Sequence, residues 1–209
     1  MSLFQTPLLS VINHPADAAH YTRGRGGFQP AFIVLHHTGG TDSLKWLSSI
    51  SSPAVSCHRL IDKIGHIYKI VADEDTAYCA GYGLIGPIDP DASDPTGVVR
   101  NLNFASLNIE LENLGNGQDR YTPTQMQACA AQIYEWWGKY GFLPILYHSQ
   151  VDPAKHDPRG LDRPDLDRRL LALLRGVSVD SAVLRNLEKA AGHIQTGLGD
   201  IAAALAALK

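Results

Sequence analysis

The chain has 209 residues, and 21 acidic against 18 basic side chains give it a formal net charge of −3. This charge argues against nucleic acid or an anionic membrane surface as a partner, and no apolar run is long enough for a transmembrane segment. Three cysteines without a CxxC pair, and an N-terminus without a secretory signal, predict cytoplasmic synthesis in a reducing compartment without a disulfide framework.

The N-terminal half of the chain predicts strands joined by turns and a short helix. Phe32 to Leu35 is an apolar, β-branched run that predicts a buried strand at 32–36. Asp42 follows a Gly-rich turn and is the predicted N-cap of the short helix. The segment at 1–29 is predicted to be irregular, and the short helix is predicted at 43–49. Two strands at 55–62 and 66–71 are predicted to form a hairpin, and residues 81–97 are predicted to form a long surface loop.

The C-terminal half predicts a central strand and two longer helices. Thr122 and Pro123 are the predicted N-cap and first residue of the first helix. Its apolar positions recur at helical spacing and are expected to pack on the sheet: Met126, Cys129, Ile133 and Trp137. The strand and the two helices are predicted at residues 108–112, 122–140 and 163–175. The predicted fold class is α/β, a single domain with a central mixed β-sheet flanked by helices.

Two histidines at the ends of apolar runs, followed by a carboxylate, are typical of a catalytic zinc site. His36 ends the first run, and His148 directly follows a second one at 142–147. Asp157 is nine positions further on, and His156 beside it is a competing third ligand. Two imidazoles and one carboxylate leave the fourth position of a zinc ion to water.

Five segments carry a resemblance to a known family. They are the strand ending in His36-His37-Thr38 and the segments at 55–62, 77–81, 106–112 and 148–158. In this order they resemble the zinc-dependent N-acetylmuramoyl-L-alanine amidases, which include phage T7 lysozyme, bacterial muropeptide-recycling amidases and animal peptidoglycan recognition proteins. The resemblance covers roughly residues 30 to 160, most of a domain.

The resemblance implies both a reaction and the residues that perform it. It implies zinc ligands His36, His148 and Asp157, with Glu110 as the catalytic carboxylate and Lys155 as the catalytic cation. It also implies hydrolysis of the amide between N-acetylmuramic acid and L-alanine, with peptidoglycan or a muropeptide as the substrate. The implied catalytic domain spans residues 30–175.

Several assignments stay open at this stage. The spacing of residues does not decide whether Glu110 or Glu112 is the catalytic carboxylate. Only the alignment with the family motif favours Glu110. His37 lies on the opposite side of its strand from His36, which predicts either a packing role or a role in supporting the ligands rather than in binding the metal. His58 is either a hydrogen-bonded core histidine or a substrate contact.

The chain also departs from the family pattern. Relatives usually carry Trp-His where Tyr78-Cys79 stand here, and members of the T7 type carry a catalytic tyrosine at the position of Cys57. The last ligand is Asp157 rather than the cysteine of the T7 and animal members. The chain is therefore more similar to the recycling amidases.

The segment at 176–209 predicts a C-terminal amphipathic helix, because apolar residues from Leu184 to Leu208 recur at steps of three and four. Such a helix either self-associates or docks on the cell envelope, or it folds back on its own domain. This tail favours a phage or prophage endolysin that acts on the cell wall after release, over a cytoplasmic muropeptide-recycling amidase. The alternative from a different functional class is a non-catalytic peptidoglycan-binding module. The presence of all three implied ligands argues against it.

Overall fold

Eight strands and four α-helices are present in the computed structural model, which describes residues 10–49, 53–83 and 101–176. The strands are β1 (Val11–Asn13), β2 (Tyr21–Thr22), β3 (Phe32–His37), β4 (Arg59–Ile61), β5 (Ile67–Lys69), β6 (Thr76–Ala77), β7 (Ser106–Leu111) and β8 (Ile145–Tyr147). The α-helices are α1 (Ser43–Ser48), α2 (Pro123–Tyr140), α3 (His148–Val151) and α4 (Arg163–Gly176). No helix in these ranges combines the length and apolar character needed to cross a membrane.

Six strands form one mixed sheet in the order β1-β5-β4-β7-β3-β8, and β2 pairs with β6 in a separate antiparallel ribbon. Within the sheet, β4 and β5 are antiparallel and the other neighbouring pairs are parallel. Because β7, β3 and β8 are adjacent and parallel, their carboxyl ends meet at one edge of the sheet. This edge brings together His36, Glu110 and, just after β8, His148.

One apolar layer covers each face of the sheet, and alternate residues of β3 belong to different layers. Ile33 and Leu35 are fully buried in the cluster that contains α2 and α4. Phe32 and Val34 belong to a second cluster on the opposite face. Since side chains alternate between faces along a strand, His36 lies on the face of Phe32 and Val34, away from α2 and α4.

The central strand β7 is apolar on one face and polar on the other. Three of its residues pack in the cluster with α2 and α4: Leu107, Ile109 and Leu111. The alternate residues are Ser106, Asn108 and Glu110, which therefore share the face of His36. Ser106 and Asn108 are fully buried, and buried polar groups of this kind require hydrogen-bond partners.

The predicted fold class is confirmed, and several elements begin and end close to their predicted bounds. The hairpin is present as the antiparallel pair β4 and β5, and the central strand is β7. Thr122 caps α2, since its hydroxyl accepts a hydrogen bond from the Gln125 N–H at 3.1 Å, and Pro123 is the first helical residue. The predicted apolar side chains of α2 pack on the sheet, with Trp137 only partly buried there.

Asp42 occupies the predicted N-cap position of α1, but its side chain does not cap the helix. Asp42 adopts a left-handed conformation with φ 57° and makes no side-chain hydrogen bond to the helix. A residue that caps through its side chain has β-region dihedrals, which aim its oxygen at the free N–H groups of the first turn. Here the Ser43 hydroxyl instead donates to Gly40 O at 3.1 Å.

Two predicted segments also differ from the structure. The strand predicted at 55–62 is reduced to β4, because the N–H groups of Ser56 and His58 donate to carbonyls outside a regular ladder. The segment at 1–29 is not wholly irregular, since β1 adds a parallel edge strand beside β5. The amphipathic helix predicted at 176–209 and most of the loop at 81–97 lie outside the described residues. The domain division at 29/30 and 175/176 stays a prediction.

Candidate metal centre

Three atoms that can ligate a metal converge at the carboxyl edge of the sheet. His36 Nδ1 lies 3.0 Å from His148 Nδ1 and 3.2 Å from Asp157 Oδ2, and His148 Nδ1 lies 3.0 Å from the same oxygen. Both histidines are buried, with 1% and 5% of their surface exposed. Ligands of a tetrahedral zinc ion at ~2.0–2.1 Å lie roughly 3.3 Å apart, so the spacing suits such an ion.

Each of the three side chains comes from a different part of the fold. His36 lies on β3, His148 begins α3 directly after the neighbouring strand β8, and Asp157 lies in the loop between α3 and α4. The Ser149 N–H donates to the Asp157 carbonyl at 3.0 Å, which ties this loop to the first turn of α3. Two rigid strand ends and one anchored loop therefore position the centre.

The electrostatics of His36 and Asp157 favour the protonation states that a metal requires of them. Burial lowers the pKa of His36, which keeps its imidazole neutral. Burial acts to raise the pKa of Asp157, but hydrogen bonds with His148 and His36 outweigh it and hold that pKa well below its usual range. A neutral imidazole and an ionised carboxylate are the ligand forms that bind zinc.

Glu110 lies beside His36 in the sheet register, on the next strand. The Cys79 thiol donates to Glu110 Oε1 at 3.7 Å, while Oε2 is buried and has no hydrogen-bond partner in the described part of the chain. Burial, together with the negative charge of Asp157, raises the pKa of Glu110 to about 8, and a cation at the centre would lower it. One carboxylate oxygen thus remains available for a proton of water or substrate.

The loop that carries Asp157 also carries the predicted catalytic cation. Lys155 is exposed, and its positive charge acts to lower the pKa of Glu110, which places the two groups within electrostatic reach. His156, the competing ligand, is exposed and does not belong to the converging group. The geometry therefore brings Asp157, and not His156, to the other two candidate ligands.

His37 and Glu112 lie apart from the centre. The His37 ring packs against Gly115, where an added Cβ would lie 2.5 Å from His37 Cε1. Glu112 follows the last residue of β7 and is not among the potential ligands that gather within the described ranges. Of the two glutamates that spacing could not separate, the fold brings Glu110 to His36.

His58 is a core histidine behind the centre. It is fully buried, and its Nδ1 accepts a hydrogen bond from the Asn108 N–H at 3.0 Å. Its Nε2 lies 2.8 Å from Arg25 Nη2 and 3.2 Å from Asp75 O. Burial and the adjacent Arg25 guanidinium lower the pKa of His58 from 6.5 to about 3.

This environment predicts a loss of stability in acid. Arg59 also lowers the pKa of His58, whereas the Asp75 carbonyl and Asp73 raise it. Below pH 6.5 the unfolded chain binds a proton that the folded chain excludes until about pH 3, so acid favours unfolding in this window. Between about pH 7.5 and about pH 5 the proton on this one group costs about 2 kcal/mol of unfolding free energy.

Urea unfolding of the wild type and of His58→Asn, measured with chelator at both pH values, tests this expectation. The asparagine keeps an acceptor near the Asn108 N–H but does not titrate. All other titratable groups are common to both proteins. The free energy of unfolding should therefore fall between about pH 7.5 and about pH 5 by about 2 kcal/mol less in the variant than in the wild type. Equal pH dependence in the two proteins would contradict the assignment.

A cavity of about 340 Å³ opens next to β3. It begins at Thr38, two residues after His36, and its lining includes Asp42, Lys45 and Trp46 of the following turn and α1. The volume lies within the range of small-molecule sites. It offers polar groups and an aromatic ring close in sequence to a candidate ligand.

Asn108 is the residue of this region that the sequence motifs did not single out. Its Oδ1 lies 3.0 Å from His36 Nε2, on the side of the ring away from the converging atoms. The alternation of polar and apolar residues along β7 was the available signal, because it puts Asn108 on the face of Glu110. The identity of its partner required the order of the strands.

Comparison with protein families gives one match over most of the described domain. A family model described as N-acetylmuramoyl-L-alanine amidase matches residues 26–160. This range includes His36, Glu110, His148, Lys155 and Asp157. No curated protein matches the chain significantly.

Solved structures share the fold. A crystal structure of an AmpD derivative has a TM-score of 0.61 and 24% identity, covering 83% of this chain and 99% of that one. The endolysin amidase LysCS from Clostridium intestinale has a TM-score of 0.56 and 18% identity, covering 79% and 97%. AmiD from E. coli, solved with the substrate anhydro-N-acetylmuramic acid-L-Ala-D-gamma-Glu-L-Lys, has a TM-score of 0.54 and 22% identity. That match covers 73% of this chain and 60% of AmiD.

Proposed function

The chain belongs to the N-acetylmuramoyl-L-alanine amidase family, and from this we propose that it is a zinc hydrolase of peptidoglycan. The scissile bond is the amide between N-acetylmuramic acid and the L-alanine of the stem peptide. One observation carries the proposal: three potential ligand atoms lie within 3.2 Å of one another beside a carboxylate with an unpartnered oxygen. A structural ion pair would not need the second imidazole or that oxygen.

The donor set supports zinc. His36, His148 and Asp157 would hold the ion and leave a fourth position open, as in catalytic rather than structural zinc sites. When bound, zinc lowers the pKa of a coordinated water to about 7 and polarises the substrate carbonyl. The neutral histidines and the single carboxylate leave the centre with a net positive charge.

Glu110 is the proposed general base and acid. Hydrolysis of an amide requires a proton to leave the attacking water and another to reach the departing nitrogen. Glu110 is placed for both transfers, because Oε2 has no partner among the described residues and the carboxylate lies beside His36. The Cys79 thiol bonds only Oε1, which fixes the carboxylate without blocking its second oxygen.

Lys155 is the proposed stabiliser of the charge that develops on the carbonyl oxygen. Its positive charge acts to lower the pKa of Glu110, and its side chain is exposed to solvent and so to a substrate. A preorganised donor at such a position contributes on the order of 10²–10³ in rate. Its backbone is held by the Lys155 N–H, which donates to Asp152 O at 3.0 Å.

We further propose that the enzyme is a phage or prophage endolysin that acts on the polymeric cell wall. The predicted amphipathic tail and the fold shared with the endolysin LysCS support this setting. Recycling of soluble muropeptides is the second candidate, supported by the fold shared with AmiD in complex with an anhydro-muropeptide. The two settings differ in the substrate that is cleaved faster.

A parallel assay on two substrates tests both proposals. Zinc-loaded protein is incubated with intact sacculi and with soluble anhydro-muropeptides, and mass spectrometry identifies the products. We expect free stem peptides that begin with L-alanine, released from sacculi at a rate well above that of a zinc-free control.

Cleavage confined to the soluble fragments would refute the endolysin setting while keeping the amidase. Binding to both substrates without release of stem peptides would overturn the enzyme and leave the non-catalytic binding module.

A further inference from the structure

We propose that Asn108 is a positioning residue that fixes the His36 ring for metal binding. Its side-chain oxygen keeps the ring proton on Nε2 and so leaves the Nδ1 lone pair directed at His148 and Asp157. The inference deepens the proposed function and rests on it, because it concerns the same metal centre.

The first step is the contact itself. Asn108 Oδ1 lies 3.0 Å from His36 Nε2, and neither residue is more than 1% exposed. Bulk solvent therefore does not reach this nitrogen. A metal-ligating imidazole whose second nitrogen donates to a fixed acceptor is held in one tautomer and one orientation.

The second step is the orientation of the Asn108 amide, in which the oxygen lies on the side of His36 and the NH₂ group on the side of Ser106. Asn108 Nδ2 lies 2.9 Å from Ser106 Oγ, two residues earlier on the same face of β7. The NH₂ group donates to this hydroxyl, and the oxygen points at His36. An acceptor at this position requires Nε2 of His36 to carry the proton.

The third step is the anchoring of the Asn108 backbone on its other side. Its N–H donates to His58 Nδ1 at 3.0 Å, and its carbonyl accepts from the His58 N–H at 3.2 Å. Arg25 also contacts this strand, because its Nη1 donates to Ser106 O at 3.0 Å. The acceptor for His36 is thus built on a strand held by buried polar contacts.

The two histidines of the centre differ in this respect. His148 Nε2 is buried and has no hydrogen-bond partner in the described part of the chain. Only His36 is therefore oriented by a side-chain acceptor among these residues. Loss of such an acceptor typically lowers metal affinity by roughly 10–100-fold.

The test measures zinc affinity, by competition with a chromophoric chelator, in the wild type and three variants. Asn108→Ala removes the acceptor and should weaken zinc binding by roughly 10–100-fold. Asn108→Asp keeps an oxygen acceptor, to which the Ser106 hydroxyl can donate, and should retain the affinity of the wild type within about 3-fold. Gln132→Ala removes another fully buried amide, one that contacts Arg59 and Glu135, and should lower stability without changing zinc affinity.

A second measurement does not depend on the folding of any variant. In zinc-loaded wild type, ¹⁵N NMR of the His36 ring should show a protonated Nε2 and ligation through Nδ1. Ligation through Nε2 would overturn the proposal, as would an unchanged zinc affinity in Asn108→Ala or an equal loss in Asn108→Asp. A wild type that binds zinc in this way but leaves peptidoglycan intact would refute the proposed function and leave the positioning role standing.

Discussion

Replacing Asp157 by alanine is expected to abolish both zinc binding and amidase turnover, whereas replacing the adjacent His156 should leave both intact. Asp157 supplies an anionic atom within 3.2 Å of both imidazoles, and its low pKa keeps it ionised. Its loss removes a ligand and a charge from the centre. A bound zinc ion contributes several kcal/mol to transition-state stabilisation, so turnover should fall by on the order of 10³ or more.

The paired variant His156→Ala is the control, since His156 is adjacent in sequence but exposed. Zinc content by mass spectrometry and release of stem peptides are measured on both proteins. Treatment of the wild type with chelator should reproduce the loss in Asp157→Ala, and added zinc should restore activity only in the wild type. Loss of zinc in His156→Ala with retention in Asp157→Ala would reverse the assignment of the third ligand.

Replacing Glu110 by glutamine is expected to lower kcat by roughly 10²–10⁴ while zinc binding is retained. The substitution keeps the shape of the side chain but removes its capacity to accept a proton. Because Glu110 is not one of the three converging groups, the metal should remain bound. Equilibrium dialysis against zinc and initial rates on a soluble muropeptide separate these two effects.

Glu112→Gln is the matched control for this experiment, because spacing alone does not distinguish the two glutamates. Glu112 follows β7 and its N–H donates to Ile61 O at 2.9 Å, away from the His36 register. We expect its kcat to stay within about 3-fold of the wild type, as for a residue that makes no contact with the reacting groups. A larger loss in Glu112→Gln than in Glu110→Gln would move the catalytic role to Glu112.

Local patterns identified the elements that carry the centre. The apolar run before His36 marked a buried strand, because continuous β-branched and apolar residues are typical of parallel strands covered on both faces. The second apolar run, before His148, contains β8. Thr122 and Pro123 marked the start of α2 for the same local reason, since capping depends only on neighbouring residues.

The same reasoning failed where a backbone conformation or a distant partner decided the outcome. Asp42 is of a residue type that commonly caps helices, but it adopts a left-handed φ that its sequence neighbours do not reveal. Val11–Asn13 becomes a strand because β5 offers an open edge, and no local period encodes that pairing.

The sequence by itself indicated the family, the order of the longer helices and of the strands around them, and a candidate ligand set of His36, His148 and Asp157 with His156 as a competitor. Only the tertiary structure decided that Asp157 rather than His156 meets the two histidines, and that Glu110 rather than Glu112 lies beside His36. It alone gave Asn108 a partner on β3, 72 residues away. The reason is physical: side-chain type and period are local properties, whereas contacts between parallel strands depend on which strands are neighbours in the sheet and on their register.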